Sequence, residues 1–108
     1  MSEIYKNSVK CFAYISLIIE LSNGRKITGY DLLVHMKRFG FEVSPGTVYH
    51  QLSMLEKAGI IKGTPVKRRN ASKTVYEMTE EGKKVFEDFR DKWREPLSYV
   101  FRNIVKRP

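Results

Sequence analysis

The chain has 108 residues, with 20 Lys and Arg against 12 Asp and Glu, a formal net charge of +8. That length fits one domain, which buries roughly two-thirds of the surface its unfolded chain exposes and needs no staples. The excess charge favours an anionic partner, and its distribution is uneven: residues 62–73 hold five basic groups and no acid, a net +5. The single cysteine, Cys11, excludes an internal disulfide, fits a reducing compartment and, lying in an apolar run, reads as a buried packing residue. The apolar run Val9 to Leu21 contains Lys10 and Glu20 and is too short to span a bilayer. With no secretory cleavage pattern after it, a cytoplasmic protein with no membrane partner is expected.

A first helix is predicted over residues 3–22, with Phe12, Ile15 and Ile18 or Ile19 among apolar positions on several faces, until Ser22-Asn23-Gly24 breaks it. A second begins after Thr28, which forms a capping box with Asp31, and carries Tyr30, Leu33 and Met36 or Lys37 towards Phe39-Gly40. A third starts at Ser44-Pro45, a cap followed by the residue that has no N–H to leave unpaired, and stops at Gly59. Its Val48, Leu52 and Leu55 form an apolar stripe; Gly46, His50, Ser53 and Lys57 lie opposite. A hairpin is expected next, from Ile60-Ile61-Lys62-Gly63 through the turn-prone Asn70-Ala71-Ser72 and back along Lys73 to Met78. Thr79, Glu80 and Glu81 open a last helix with an apolar stripe of Phe86, Phe89, Trp93, Leu97, Val100, Phe101 and Ile104. Pro96 predicts a kink or break in that helix near Glu95.

This order reads as a mainly α fold with a small β-hairpin wing (α+β): a winged helix-turn-helix over residues 1–78 and a C-terminal dimerisation helix over 79–108. No catalytic constellation is present. His35 and His50 stand on different helices, and no Cys/His cluster or Gly-rich phosphate loop occurs, so no enzyme, metal or cofactor is expected. Nucleic-acid binding fits better. A helix in the major groove must show small or polar groups to base edges, which Thr47, His50, Ser53 and Met54 or Gln51 can supply. A basic hairpin beside it must meet phosphates, which Lys62, Lys67, Arg68, Arg69 and Lys73 can do, while free N–H groups at Gly46 and Thr47 can hold a further phosphate. The terminal stripe, together with Phe12, Ile15 and Ile19 of the first helix, exceeds what a winged-helix core needs and points to a homodimer on a palindromic operator. The alternative is a winged-helix protein–protein interaction module without specific DNA binding.

Four blocks, Gly29-Tyr30-Asp31-Leu32-Leu33, Val43-Ser44-Pro45-Gly46-Thr47-Val48-Tyr49, Leu55 to Ile61 and Val75 to Gly82, resemble the PadR family of transcriptional regulators. The resemblance implies a homodimeric winged-helix repressor and, from the short tail, the smaller subclass that dimerises through one C-terminal helix packed on the partner's first helix. Carried over by position, Ser44, Thr47 and Tyr49 are expected near DNA. Some relatives in that subclass bind flat aromatic effectors at the dimer centre, which makes Trp93 the candidate effector contact.

Overall fold

The computed structural model describes residues 2–68 and 71–106, with the side chains of residues 68 and 71 outside that description. The elements run α1 (Glu3–Ser22), α2 (Gly29–Arg38), α3 (Pro45–Lys57), β1 (Ile61–Arg68), β2 (Ala71–Met78) and α4 (Glu80–Val105).

Local chemistry sets the helix starts. Thr28 and Asp31 form the full capping box, the Asp31 N–H donating to the Thr28 hydroxyl (3.1 Å) and the Thr28 N–H to the Asp31 carboxylate (2.8 Å). Ser44 caps α3 by accepting from the Thr47 N–H at 3.1 Å, with Pro45 in the first turn. The end of α3 is equally local. Gly59 takes φ +78°, and the N–H groups of Gly59 and Ile60 return to the carbonyls of Glu56 and Leu55, the paired bonds of a Schellman turn.

Val48, Leu52 and Leu55 of α3 are buried as their spacing predicts, meeting Val9, Ala13, Leu17 and Leu21 from α1 and Leu32 and Met36 from α2. Two core faces differ from expectation. In α2 Gly29, Leu32 and Met36 are buried and Leu33 packs partly against the core, while Tyr30 is exposed, one position round the helix from the buried Gly29. Cys11 is exposed rather than buried. Ala13 and Leu17 carry the buried face of α1, and Cys11 falls on the side they leave outward.

The hairpin is longer than predicted: β1 and β2 pair antiparallel from Ile61↔Met78 to Arg68↔Ala71, so Ala71 and Ser72 are strand rather than turn. Its root is fastened to the helices. Ile27, between α1 and α2, exchanges both backbone bonds with Tyr76 (3.0 and 2.7 Å), making a short third strand contact. α4 then leaves from a tied start, its Thr79 hydroxyl donating to the Gly59 carbonyl (2.6 Å) and accepting from the Gly82 N–H (2.9 Å).

Of the kink or break expected near Glu95, the break does not occur. α4 is continuous from Glu80 to Val105 with Pro96 inside it. Proline removes one hydrogen bond and crowds one carbonyl, a local cost of about 3 kcal/mol, and nine residues of helix continue beyond it to Val105.

Candidate nucleic-acid interface

α3 has three sides besides its core stripe, at about 3.6 residues per turn. The outermost carries Gly46, His50, Ser53, Met54 and Lys57, all exposed. This row is small and polar except for Met54, as direct contact with base edges requires.

One flank faces the wing. The Tyr49 ring lies against the backbone of Gly29, so close that a Cβ on residue 29 would stand 2.7 Å from it; the glycine is what lets α2 and α3 approach there. Two turns of helix further on comes Glu56, whose carboxylate accepts the Gly63 N–H of β1 at 3.1 Å. Tyr76 sits beside both, and its hydroxyl pKa is raised above 10.0, first by burial and then by the Glu56 carboxylate and Tyr49, with a hydrogen bond to Thr74 pulling the other way. Between the start of α2, Tyr49 and the wing runs a groove of about 470 Å³ bordered by Thr28, Tyr30, Pro65 and Lys73. Lys62, Lys67 and Lys73 are exposed, and among the described residues none of them forms an ion pair. Arg69 and the side chain of Arg68, both predicted phosphate contacts, lie outside the described residues.

The other flank faces α1. Gln51, read from the sequence as a candidate for base contact, instead donates its side-chain amide to the Lys10 carbonyl at 3.1 Å, and its buried oxygen has no partner among the described residues. Gln51 thus pins α3 to α1. Its position in a polar run hid this, since the side it faces depends on where α1 packs. Ser44 and Thr47 lie at the helix start, their hydroxyls 2.9 Å apart, and the Thr47 N–H, expected to be free for a phosphate, is instead taken up by the Ser44 cap.

The residues expected at a dimer contact divide in two. Phe12 stacks on His35 and meets Phe39 and Phe41 edge-on, so much of its surface is used within the chain; His35 is a half-buried packing residue in this cluster, 3.9 Å from Glu20. Ile15 is half-buried, as are Phe86 and Phe89, and Phe86 packs against the core. Ile19, Trp93, Leu97, Val100, Phe101 and Ile104 are exposed, Phe101 at 66% and Ile104 at 78%. Trp93 lies next to Phe89, ring centroids 5.9 Å apart. Among the described residues no group of three metal-ligating side chains occurs, and no helix is long and apolar enough to cross a membrane.

Three packed helices, a two-stranded wing tied to the third of them and a long trailing helix define a winged helix-turn-helix protein. Residues 18–88 match the transcriptional regulator PadR-like family, and the chain belongs to that family, whose members regulate transcription rather than catalyse reactions. Its fold is similar to a PadR-like transcriptional regulator from Bacillus cereus (25% identity, covering 98% of this chain and 100% of that one, TM-score 0.64). It also resembles a PadR family regulator from Eggerthella lenta (20% identity, 97% and 96%, TM-score 0.69). A third solved relative, Bacillus subtilis PadR, was captured in complex with operator DNA (22% identity, 72% of this chain and 45% of that one, TM-score 0.61). No curated protein matches the chain.

Proposed function

We propose that this cytoplasmic regulator binds duplex DNA as a homodimer and acts as a repressor on a palindromic operator. His50 and Ser53 read base edges, Ser44, Gly46, Thr47 and Tyr49 seat the helix start on the backbone, and Lys67, Arg68, Arg69 and Lys73 of the wing neutralise phosphates. The observation that carries this reading is the exposed, mostly small and polar face of α3, held by the Glu56–Gly63 bond beside a wing whose Lys62, Lys67 and Lys73 form no ion pair among the described residues. The operator complex of Bacillus subtilis PadR supports it from the same family. Pairing through α1 and the apolar stripe of α4 would set two reading heads about one helical turn apart on the DNA. A planar aromatic effector at the dimer centre would lie against Trp93.

Selection of bound sequences from random duplex DNA tests the proposal. The expected product is a palindrome with half-sites about 10 base pairs apart. Lys67→Ala with Lys73→Ala should weaken binding to every duplex and flatten the salt dependence, while His50→Ala or Ser53→Ala should change the preferred sequence. Failure to enrich any duplex, or to retain any at low salt, would overturn it in favour of a protein-binding module.

A further inference from the structure

The wing accounts for the charge on one side of α3. On the other side, the first turns of α1 bring Lys6 and Lys10 up to the start of the same helix. The two side chains share an open cavity of about 150 Å³ with Ser44 and Thr47, floored by Val9 and Val43. Both lysines are exposed, and among the described residues neither forms an ion pair. They stand at i and i+4 on one face of α1, and the Gln51–Lys10 bond fixes that face against α3.

The size of the cavity decides what it can take. Pockets for small-molecule ligands occupy about 300–1,000 Å³, at least twice what is found here, whereas a single tetrahedral phosphodiester with two charged oxygens fits easily. The two ammonium groups and the one O–H that the Ser44–Thr47 hydroxyl pair (2.9 Å apart) leaves free are donors such a group needs. The base-reading row of α3 lies midway between this cavity and the wing, because Thr47 and Gln51 turn to one side of the helix and Tyr49 and Glu56 to the other. A helix seated in a major groove has a phosphate strand on each side.

We infer that Lys6 and Lys10 form a second phosphate-binding arm, which grips the DNA backbone on the side of α3 opposite the wing. This rests on the DNA-binding reading above. The cavity also holds one acid, Glu42, which opposes an incoming phosphate and gives the inference a second, oppositely signed test.

Binding of the full-length protein to a random duplex is measured over a salt series for four proteins: wild type, Lys6→Gln/Lys10→Gln, Lys67→Gln/Lys73→Gln and Glu42→Gln. Each phosphate no longer neutralised lowers the slope of log K against log salt by about 0.9, so the α1 double variant, which gives up the one phosphate of this cavity, should flatten it by about 0.9 per bound protomer. Its affinity should fall to a similar extent on all sequences, Arg at both positions should restore the slope, and Glu42→Gln should tighten binding. Folding should be unaffected, since Gln51 holds the backbone carbonyl of Lys10 and not its side chain; an unchanged melting midpoint checks this. If the wing variant flattens the slope and the α1 variant does not, the α1 arm is wrong and the DNA-binding reading stands. If the wild type binds no duplex at low salt, both fall.

Discussion

In the winged-helix body each of α1, α2 and α3 hides three or more residues, and Ala13, Met36, Val48 and Leu52 are fully buried. α4 has twice the residues of α3 and buries only Gly82, while Trp93, Leu97, Tyr99, Val100, Phe101 and Ile104 face outward. The body is therefore complete within one chain. The far part of α4 is an amphipathic helix whose apolar stripe finds little to cover it, and water-exposed stripes of that extent mark interfaces. Substitutions of similar size should consequently read out differently in the two regions.

The largest expected effect is Leu52→Ala, which empties a fully enclosed core position and should lower unfolding free energy by about 2–5 kcal/mol. Phe101→Ala removes more atoms, yet should leave a dilute protomer nearly as stable. Its loss should appear as weaker self-association and a melting midpoint that depends less on protein concentration. Urea unfolding and sedimentation equilibrium separate the two, and equal losses at every concentration would erase the contrast.

The joint between the regions offers the next test. A Cβ on Gly82 would run into the backbone carbonyl of Ile60, and Met78 crowds the same point at 2.9 Å. Gly→Ala inside an exposed helix ordinarily stabilises by about 1 kcal/mol. Here the sign should reverse, to a loss of about 1–3 kcal/mol from overpacking, together with loosening of the Thr79 ties that aim α4. A stabilised Gly82→Ala protein would show that the joint is slack.

The same contrast governs what could be read in the sequence. Helix starts at Thr28, Ser44 and Thr79 and the stop at Gly59 were legible because each is written in a few adjacent residues. The stripe of α3 was legible because one face is buried and the other is not. What failed depended on neighbours distant in the chain. α1 is apolar on several faces, so the exposed position of Cys11 could not be told from a buried one, nor could the aromatic cluster of Phe12 with His35, Phe39 and Phe41 be foreseen. Gln51 looked like any polar residue of a reading helix until α1 supplied the carbonyl it holds. Lys6 and Lys10 gave no local signal, since two separated lysines on a first helix acquire meaning only beside Ser44 and Thr47. At Pro96 the proline did not end the helix, which runs on to Val105.

The smallest effect concerns the seam between wing and body, and is visible only in alkali. Burial and the Glu56 carboxylate favour the neutral Tyr76 phenol in the folded chain, whereas in the unfolded chain it ionises near its ordinary value of 10.0. The folded protein therefore holds this proton at a pH where the unfolded chain has released it. The resulting stability is fully present below about pH 10 and is lost as pH rises through the folded pKa. Tyr76→Phe has no proton to release, so its stability should decline less than that of the wild type above that pH. The difference between the urea midpoints of the two proteins should thus be constant at neutral pH and shift in the variant's favour in alkali, because the variant's phenyl ring has no group to ionise beside Glu56. Parallel curves throughout would mean that the Tyr76 hydroxyl is as well solvated as in the unfolded chain, and that the seam holding the wing to α3 is wetter than the Glu56–Gly63 and Ile27–Tyr76 bonds imply.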